Sequence, residues 1–525
     1  MLSRRVRVLC LARLVVVLGP WGGAFAQAAA SEVRLEVQTD REQKPISALI
    51  YGTNAAESGD TRWGLLRHGG NRLSAYNWEN NASNAGSDWH FQNDGLLAED
   101  DTPGAALAQV IARSQKVGAA TLLTVPLLDY VAADKLQGGD VRKSGPNFLA
   151  TRFKKNAAKK DGPFTPVPDT ADAFVYQDEM VAWVKAKYPR HQVLFSLDNE
   201  PELWARTHVV LHPKKVEYQE LCARNLSYGA AVKRVWPEAE VVGFVSYGWL
   251  GLKSLEDAPD RAGKGEAVDH YLECMKAAEA AAGRRVVDYL DVHWYPEARG
   301  GGVRITEDNV SPAVVAARLQ APRSLWDSSY VEDSWITGKV LKDAVRLLPR
   351  LREKISRGYP GTKVAVSEWN YGGGNHISGA LAVADVLGIF GREGVGLAAY
   401  WPLLKDESFA RAGFEAYRNY DGAGASFGDT SVRTTNSDPA GVSLYGSVMA
   451  SDANKVVVVV INKSTVARRA RVGLGHAKLW KALQSFQLRA DAPKFSPGPD
   501  VPSGGANVFQ LELPPLSITV LRPVK

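Results

Sequence analysis

Eight short apolar runs, separated by stretches with apolar residues every three or four positions, constrain this chain more than any other feature. The runs are LIYGTN (49–54), LLRHGGNR (65–72), TLLTVPL (121–127), VLFSLDNE (193–200), EVVGFVSY (240–247), YLDVHWYP (289–296), KVAVSEWN (363–370) and GLAAYWPL (396–403). The intervening stretches 104–117, 172–188, 216–235, 267–283, 339–357 and 378–392 have the periodicity of amphipathic helices. Pro189, Pro237, Gly118 and Gly358 stop four of them. Uniformly apolar strands alternating with helices predict a parallel sheet buried on both faces, and eight repeats predict a (β/α)8 barrel over 49–430.

Outside that region the pattern is β. VRLEVQ (33–38) alternates ahead of the barrel, and KVVVVVIN (455–462), ARRARVGLG ending at Gly475 and VFQLELPPLSITVLRP (508–523) follow it. These predict a β-sandwich over 431–525, with the early strand, within 31–48, completing it. The Pro-, Gly-, Ser- and Asp-rich stretch 484–507 reads as a long loop.

Residues 1–26 read as an export signal: Arg4, Arg5 and Arg7, an apolar run Val8–Leu18, then Ala24-Phe25-Ala26 as a cleavage site. A second cleavage option follows Ala30, and both the general secretory and twin-arginine routes fit. Removing Arg4, Arg5, Arg7 and Arg13 from 63 basic residues leaves 59 against 57 acidic ones, about +2. That balance gives no support for nucleic-acid binding, and nothing beyond the leader suggests a membrane role. The expected product is a secreted monomer. Cys222 and Cys274 remain, either as one disulfide or as two separate thiols.

The polar residues concentrate where a barrel does its chemistry, at the C-terminal ends of the runs. Glu200 ends the fourth run in Asp198-Asn199-Glu200-Pro201, and Glu368 ends the seventh in Ser367-Glu368-Trp369-Asn370. Two carboxylates brought to one barrel mouth are what cleavage of a glycosidic bond requires, one as acid/base and one as nucleophile in a retaining enzyme. Glu200 is the expected acid/base and Glu368 the expected nucleophile. Asn199 is placed to bind the sugar 2-hydroxyl, and His293 or Tyr295 to keep the nucleophile ionised. Asn71, Arg72, Trp78, Tyr247, Trp326, Trp335, Trp369 and Trp401 complete the expected substrate contacts, the tryptophans as platforms for sugar rings. Trp335 is the first choice among these aromatics and Trp326 the second.

RHGGNRLSAYNWENNASNAGSDW, FSLDNEPELW, DVHWYPE, RSLWDSSYVEDSWI and VSEWNYGGGNHISGALAVADVLGIFGREGV, together with LIYGTN, resemble glycoside hydrolase family 44, the bacterial endo-β-1,4-glucanases and xyloglucanases. The resemblance begins near residue 46 and covers most of the mature chain. It implies a (β/α)8 barrel with a β-sandwich, retention of configuration, an acid/base in Asn-Glu-Pro (Glu200) and a nucleophile in Ser-Glu-Trp (Glu368). The substrate it implies is a plant-type β-glucan. Arg67-His68-Gly69-Gly70 departs from the more aromatic or aliphatic approach of the family to Gly-Gly-Asn-Arg, so the subsite there is expected to differ in detail. No cofactor is required. Family members can bind a structural calcium, which leaves that question open here: Glu57, Asp94, Glu99, Asp100, Asp161 and Asp169 supply loop carboxylates, but at no spacing typical of a calcium loop. Two other readings remain, an exo-acting arabinofuranosidase or glucuronidase on the same scaffold, and a non-catalytic carbohydrate-binding protein, which would lack one Glu.

Overall fold

The computed structural model describes residues 32–54 and 61–524; the export signal and Glu57 lie outside them. All eight runs contribute a strand to one closed parallel barrel: Gly52–Thr53, Leu65–His68, Ala120–Val125, Val193–Leu197, Val241–Ser246, Tyr289–Val292, Lys363–Trp369 and Leu397–Tyr400. Alternation along these strands sorts their side chains between two cores. Leu65, Leu122, Leu194, Val242, Tyr289, Ala365 and Leu397 pack together inside the barrel. Their neighbours Leu123, Val193, Phe195, Val241, Leu290, Val364 and Ala398 join the outer core under the helices. Counting two residues onward from the inner set aims Arg67, Ser196, Asp291 and Ser367 into the barrel above its apolar floor, with His293 two beyond Asp291.

The helices cover the barrel in the expected order, including Ala105–Val117, Tyr218–Val235, Ala267–Ala282 and Ile377–Glu393. Two begin later than their periodicity predicts. Residues Phe174–Tyr176 form a strand before the helix Gln177–Lys187, and a π-helical turn, Ile336–Leu341, precedes Leu347–Gly358. Cys222 and Cys274 form a disulfide between neighbouring helices, with Cα atoms 6.5 Å apart.

The remaining strands form two sheets. Val33–Gln38 lies within the smaller one, parallel to Arg468–Gly475 and antiparallel to Arg433–Asn436. The larger sheet is built around Val442–Met449, Asp452–Asn462, Ser517–Pro523 and Ala482–Arg489. Its valine-rich strand is apolar from Val456 to Ile461 because both faces of that stretch are buried. Val456, Val458 and Val460 face the smaller sheet's Val33, Leu35 and Val37, while Val457, Val459 and Ile461 join the core beneath the barrel helices. Tyr445 from the same sheet lies over Gly388 of the helix Ile377–Glu393, where a Cβ would come within 2.4 Å of its ring.

Two β readings need correction. The stretch 484–507 is not a long loop. It continues the strand to Arg489 and adds Ala492–Pro497 and Val501–Pro502, because its prolines fall where the ladder does not need an N–H. VFQLELPPLSITVLRP is two strands, Val508–Leu513 and Ser517–Pro523, divided at Pro514-Pro515 and assigned to different sheets.

Candidate active site

Glu200 stands three residues past the fourth strand, in the left-handed region at φ 44°, as does Asp198 at φ 68°. Two non-glycine residues in that region are strained, and the surroundings must impose the conformation. Asp198 does so from within: its buried carboxylate accepts from Ser74 Oγ (2.5 Å), Leu127 N–H (2.5 Å) and Asn199 N–H (2.7 Å). Glu200 N–H donates to Val245 O at 3.0 Å, and Pro201 fixes the start of the next turn. Glu368 is turned inward differently. Strict alternation after Ala365 and Ser367 would point it out of the barrel, but the register shifts between Val366 and Trp369. This irregularity re-aims one side chain, as bulges beside active sites do. Trp369, by parity an inward residue, lies instead in the outer core against Phe390, Tyr400 and Phe414.

The two carboxylates meet around His293. Its Nδ1 is 2.7 Å from Glu200 Oε1 and 3.4 Å from Glu368 Oε2, and one ligand atom from each of the three residues lies within 4.8 Å of the others. Arg67, wholly buried, donates to Glu368 Oε1 at 2.6 Å and to Asn199 Oδ1 and Asn54 Oδ1 at 2.9 Å. Tyr295 O–H donates to Glu368 Oε2 at 2.8 Å. Burial alone would push the Glu368 carboxyl up. His293, Arg67 and the Tyr295 hydroxyl outweigh it and hold Glu368 below the ordinary glutamate value. Tyr295 is pushed well above the usual phenol value, first by burial and then by Glu368, so it remains a donor. Behind Glu200, Glu202 accepts from Ser246 Oγ (2.6 Å) and Tyr247 N–H (3.0 Å), and burial pushes its carboxyl up to about 7.

The sequence profile of glycoside hydrolase family 44 matches residues 82–298. Endoglucanase A of Paenibacillus lautus is 41% identical over 459 residues, covering 84% of this chain and 65% of its own. Beta-mannanase/endoglucanase A of Caldicellulosiruptor saccharolyticus is 37% identical over 515 residues, 92% of this chain and 38% of its own. The chain thus spans less than two thirds of either curated relative. A solved Paenibacillus polymyxa xyloglucanase of family 44 is 38% identical with a TM-score of 0.90, and the match covers 94% of this chain and 100% of that one. The chain belongs to glycoside hydrolase family 44.

Within this family 44 barrel the residues singled out from sequence separate into two groups. Asn71, Asn199, His293, Tyr295, Glu200 and Glu368 are linked in one hydrogen-bonded cluster, with Asn199 Nδ2 donating to Asn71 Oδ1 at 3.1 Å. Trp401 lies over Gly70 and lines a cavity of about 380 Å³ with Arg67, His68 and Asn54. Leu96 lines both this cavity and a second, of about 370 Å³, that is also lined by Arg72, Trp89 and Gln92. Arg72 stands apart from the cluster, in an ion pair with Asp94 at 2.5 Å and bonded to Ser83 Oγ at 3.2 Å. Tyr247 spends its hydroxyl on Glu256. Trp335 is half-buried on the long connection after the sixth strand.

Three aromatic assignments do not hold. Trp78 is buried and donates to Tyr176 O at 3.2 Å, so it offers no face to a sugar. Trp369 is fully buried in the outer core. Trp326 stacks on Arg392, 4.1 Å from its ring centre, and lines a cavity at the sandwich with Tyr445 and Lys463. Two residues passed over in sequence stand beside the cluster. Arg67 was visible only as a departure from the family pattern, and its position two residues after the inward Leu65 was the usable signal. Trp89 is 57% exposed on a turn tied to the cluster by Asn71 Nδ2 and Asp88 Oδ1 (3.0 Å). Among the described residues, Glu200, His293 and Glu368 are the one grouping able to reach a single metal ion, and the Arg67 guanidinium beside Glu368 already opposes a cation there. Asp94 is committed to Arg72, and Asp161 to Lys159 at 3.1 Å.

Proposed function

We propose that this chain is a secreted, retaining endo-glycoside hydrolase that cleaves β-1,4-glucan backbones, xyloglucan among them. Glu200 serves as acid/base and Glu368 as nucleophile, in a catalytic barrel over 49–430 supported by the sandwich of 31–48 and 431–525. The observation that carries the reading is the closeness of the two carboxylates, with oxygens within 4.8 Å. Retaining pairs stand about 5–5.5 Å apart, whereas an inverting pair needs about 6.5–9.5 Å to admit a water. Arg67 and Tyr295 keep Glu368 ionised and ready to attack the anomeric carbon. Asn199 is oriented by Arg67 to meet the sugar 2-hydroxyl, where hydrogen bonding strengthens as positive charge develops. No cofactor takes part, and the working form is a monomer.

The deciding experiment follows xyloglucan and mixed-linkage glucan hydrolysis by viscosity, reducing ends and proton NMR together. Viscosity should collapse while few reducing ends have formed, and the first new anomeric signal should be β. An initial α signal excludes retention, and release of single sugars from the start favours the exo-acting alternative.

The aromatic residues give a second test. Trp401→Ala and Trp89→Ala should cut kcat/KM on long chains by roughly 10- to 100-fold, corresponding to about 1–3 kcal/mol of stacking, with a smaller effect on short aryl glycosides. Trp326→Ala should instead lower the melting temperature and leave that substrate ratio unchanged. The reverse pattern would place the substrate path elsewhere.

A further inference from the structure

The parity of the barrel strands aims Asp291, His293 and Ser367 into the barrel beneath the carboxylate pair, and all three are completely buried. Asp291 Oδ1 accepts Ser367 N–H at 2.8 Å, and Oδ2 lies 2.5 Å from Ser367 Oγ. Among the described residues no Arg or Lys pairs with Asp291. Ser367 Oγ is also 3.1 Å from His293 Nε2. A hydroxyl has one proton to give. If it goes to the Asp291 carboxylate, the serine oxygen can only accept from His293, so Nε2 carries hydrogen. Nδ1 faces the oxygens of Glu200 and Glu368, and it too must carry hydrogen wherever those carboxyls are ionised.

We propose that Asp291, by accepting the Ser367 hydroxyl proton in a hydrogen bond, holds His293 as a doubly protonated imidazolium whose Nδ1–H occupies Glu200 Oε1 and reserves the other Glu200 oxygen for the catalytic proton. Asp291 and Ser367 are then positioning residues. The inference rests on the acid/base and nucleophile roles proposed above. As the Glu368–C1 bond forms and the C1–O bond breaks, the proton passes from Glu200 Oε2 to the glycosidic oxygen, and His293 neither gains nor loses one. The ring is faced by Glu200 from the fourth strand's end, by Glu368 and Ser367 from the seventh strand and by Arg67 from the second. Asp291 lies on the sixth strand and Tyr295, like His293, just past its end, with Glu202 behind Glu200. Burial and Arg67 oppose a charge on the ring, but Glu368 and Glu200 outweigh them and raise its basicity above the ordinary histidine value.

The test is nitrogen NMR of the full-length enzyme labelled with ¹⁵N-histidine, with His293 assigned as the signal missing from His293→Gln. Both ring nitrogens should show imidazolium shifts throughout the pH range of activity; a neutral ring in the native enzyme overturns the proposal. In Asp291→Asn the new amide donates to Ser367 Oγ, the serine proton turns to Nε2 and the ring becomes neutral. Glu368 then loses one of its two neighbouring cations, keeping only Arg67, and the acid limb of kcat/KM should move up by about one pH unit. Ser367→Ala should move it the same way, and the double variant no further. Lower activity with an unmoved acid limb would show Asp291 to be merely structural. Failure of the catalytic roles themselves would appear separately, as turnover surviving in Glu368→Gln with the native ring spectrum unchanged.

Discussion

Glu368→Gln should leave polysaccharide turnover reduced by 10⁵-fold or more, about 7 kcal/mol of lost transition-state stabilisation. An amide cannot form the glycosyl ester, and no neighbouring group can substitute: Arg67 and Tyr295 are donors, and His293 Nδ1 is occupied by carboxylates. The same substitution leaves the Arg67 guanidinium buried without a carboxylate. Breaking such a pair costs about 3–5 kcal/mol, so the melting temperature should fall as well. Circular dichroism at the assay temperature therefore has to accompany the rates, to separate lost chemistry from lost fold. A folded variant with near-native rates would remove Glu368 from the mechanism.

Glu200→Gln should show a loss that depends on the leaving group. On a glucan, whose leaving group is a sugar hydroxyl, the missing proton should cost roughly 10²–10⁴-fold in kcat. An aryl glycoside with an acidic phenol needs no such help, so its first step should proceed at close to the native rate. The second step then lacks its base. The covalent intermediate should accumulate, giving a burst of phenol followed by slow turnover, and added azide should accelerate that slow phase. The fold should be little affected, because a glutamine oxygen at Oε1 still accepts from His293. Equal losses on both kinds of substrate would assign Glu200 to binding rather than to proton transfer.

Much of this was legible in the chain because a parallel barrel writes its strands as apolar runs and places polar residues at their ends. Glu200, Asn199, His293 and Tyr295 could be located from position alone. Side-chain direction was harder to read. Glu368 faces the site only because the ladder slips beside it, and the same slip sends Trp369 into the outer core. Tryptophans gave no directional signal: Trp401 and Trp326 look alike in sequence, yet one lines a cavity beside Arg67 and the other supports Arg392. Arg67 went unassigned because a four-residue strand is too short to display its alternation. Beyond the barrel, the Pro- and Gly-rich composition of 484–507 suggested a loop, but edge strands tolerate those residues.

The pairing of Val33–Gln38 with Arg468–Gly475 has a consequence for how the polypeptide acquires its structure. Val33 aligns with Ala470, and Gln38 with Gly475, so the smaller sheet joins the two extremes of the described chain. Loop closure on that scale is slow, and the contact cannot form while the ribosome is still producing the barrel. The first strand must remain unpaired until its partners Arg433–Asn436 and Arg468–Gly475 emerge, in the last fifth of the sequence, with Val33, Leu35 and Val37 exposed meanwhile. Refolding from denaturant should therefore show a late phase in which the sandwich forms after the barrel strands are protected from hydrogen exchange. Substitutions in VRLEVQ should slow that phase alone.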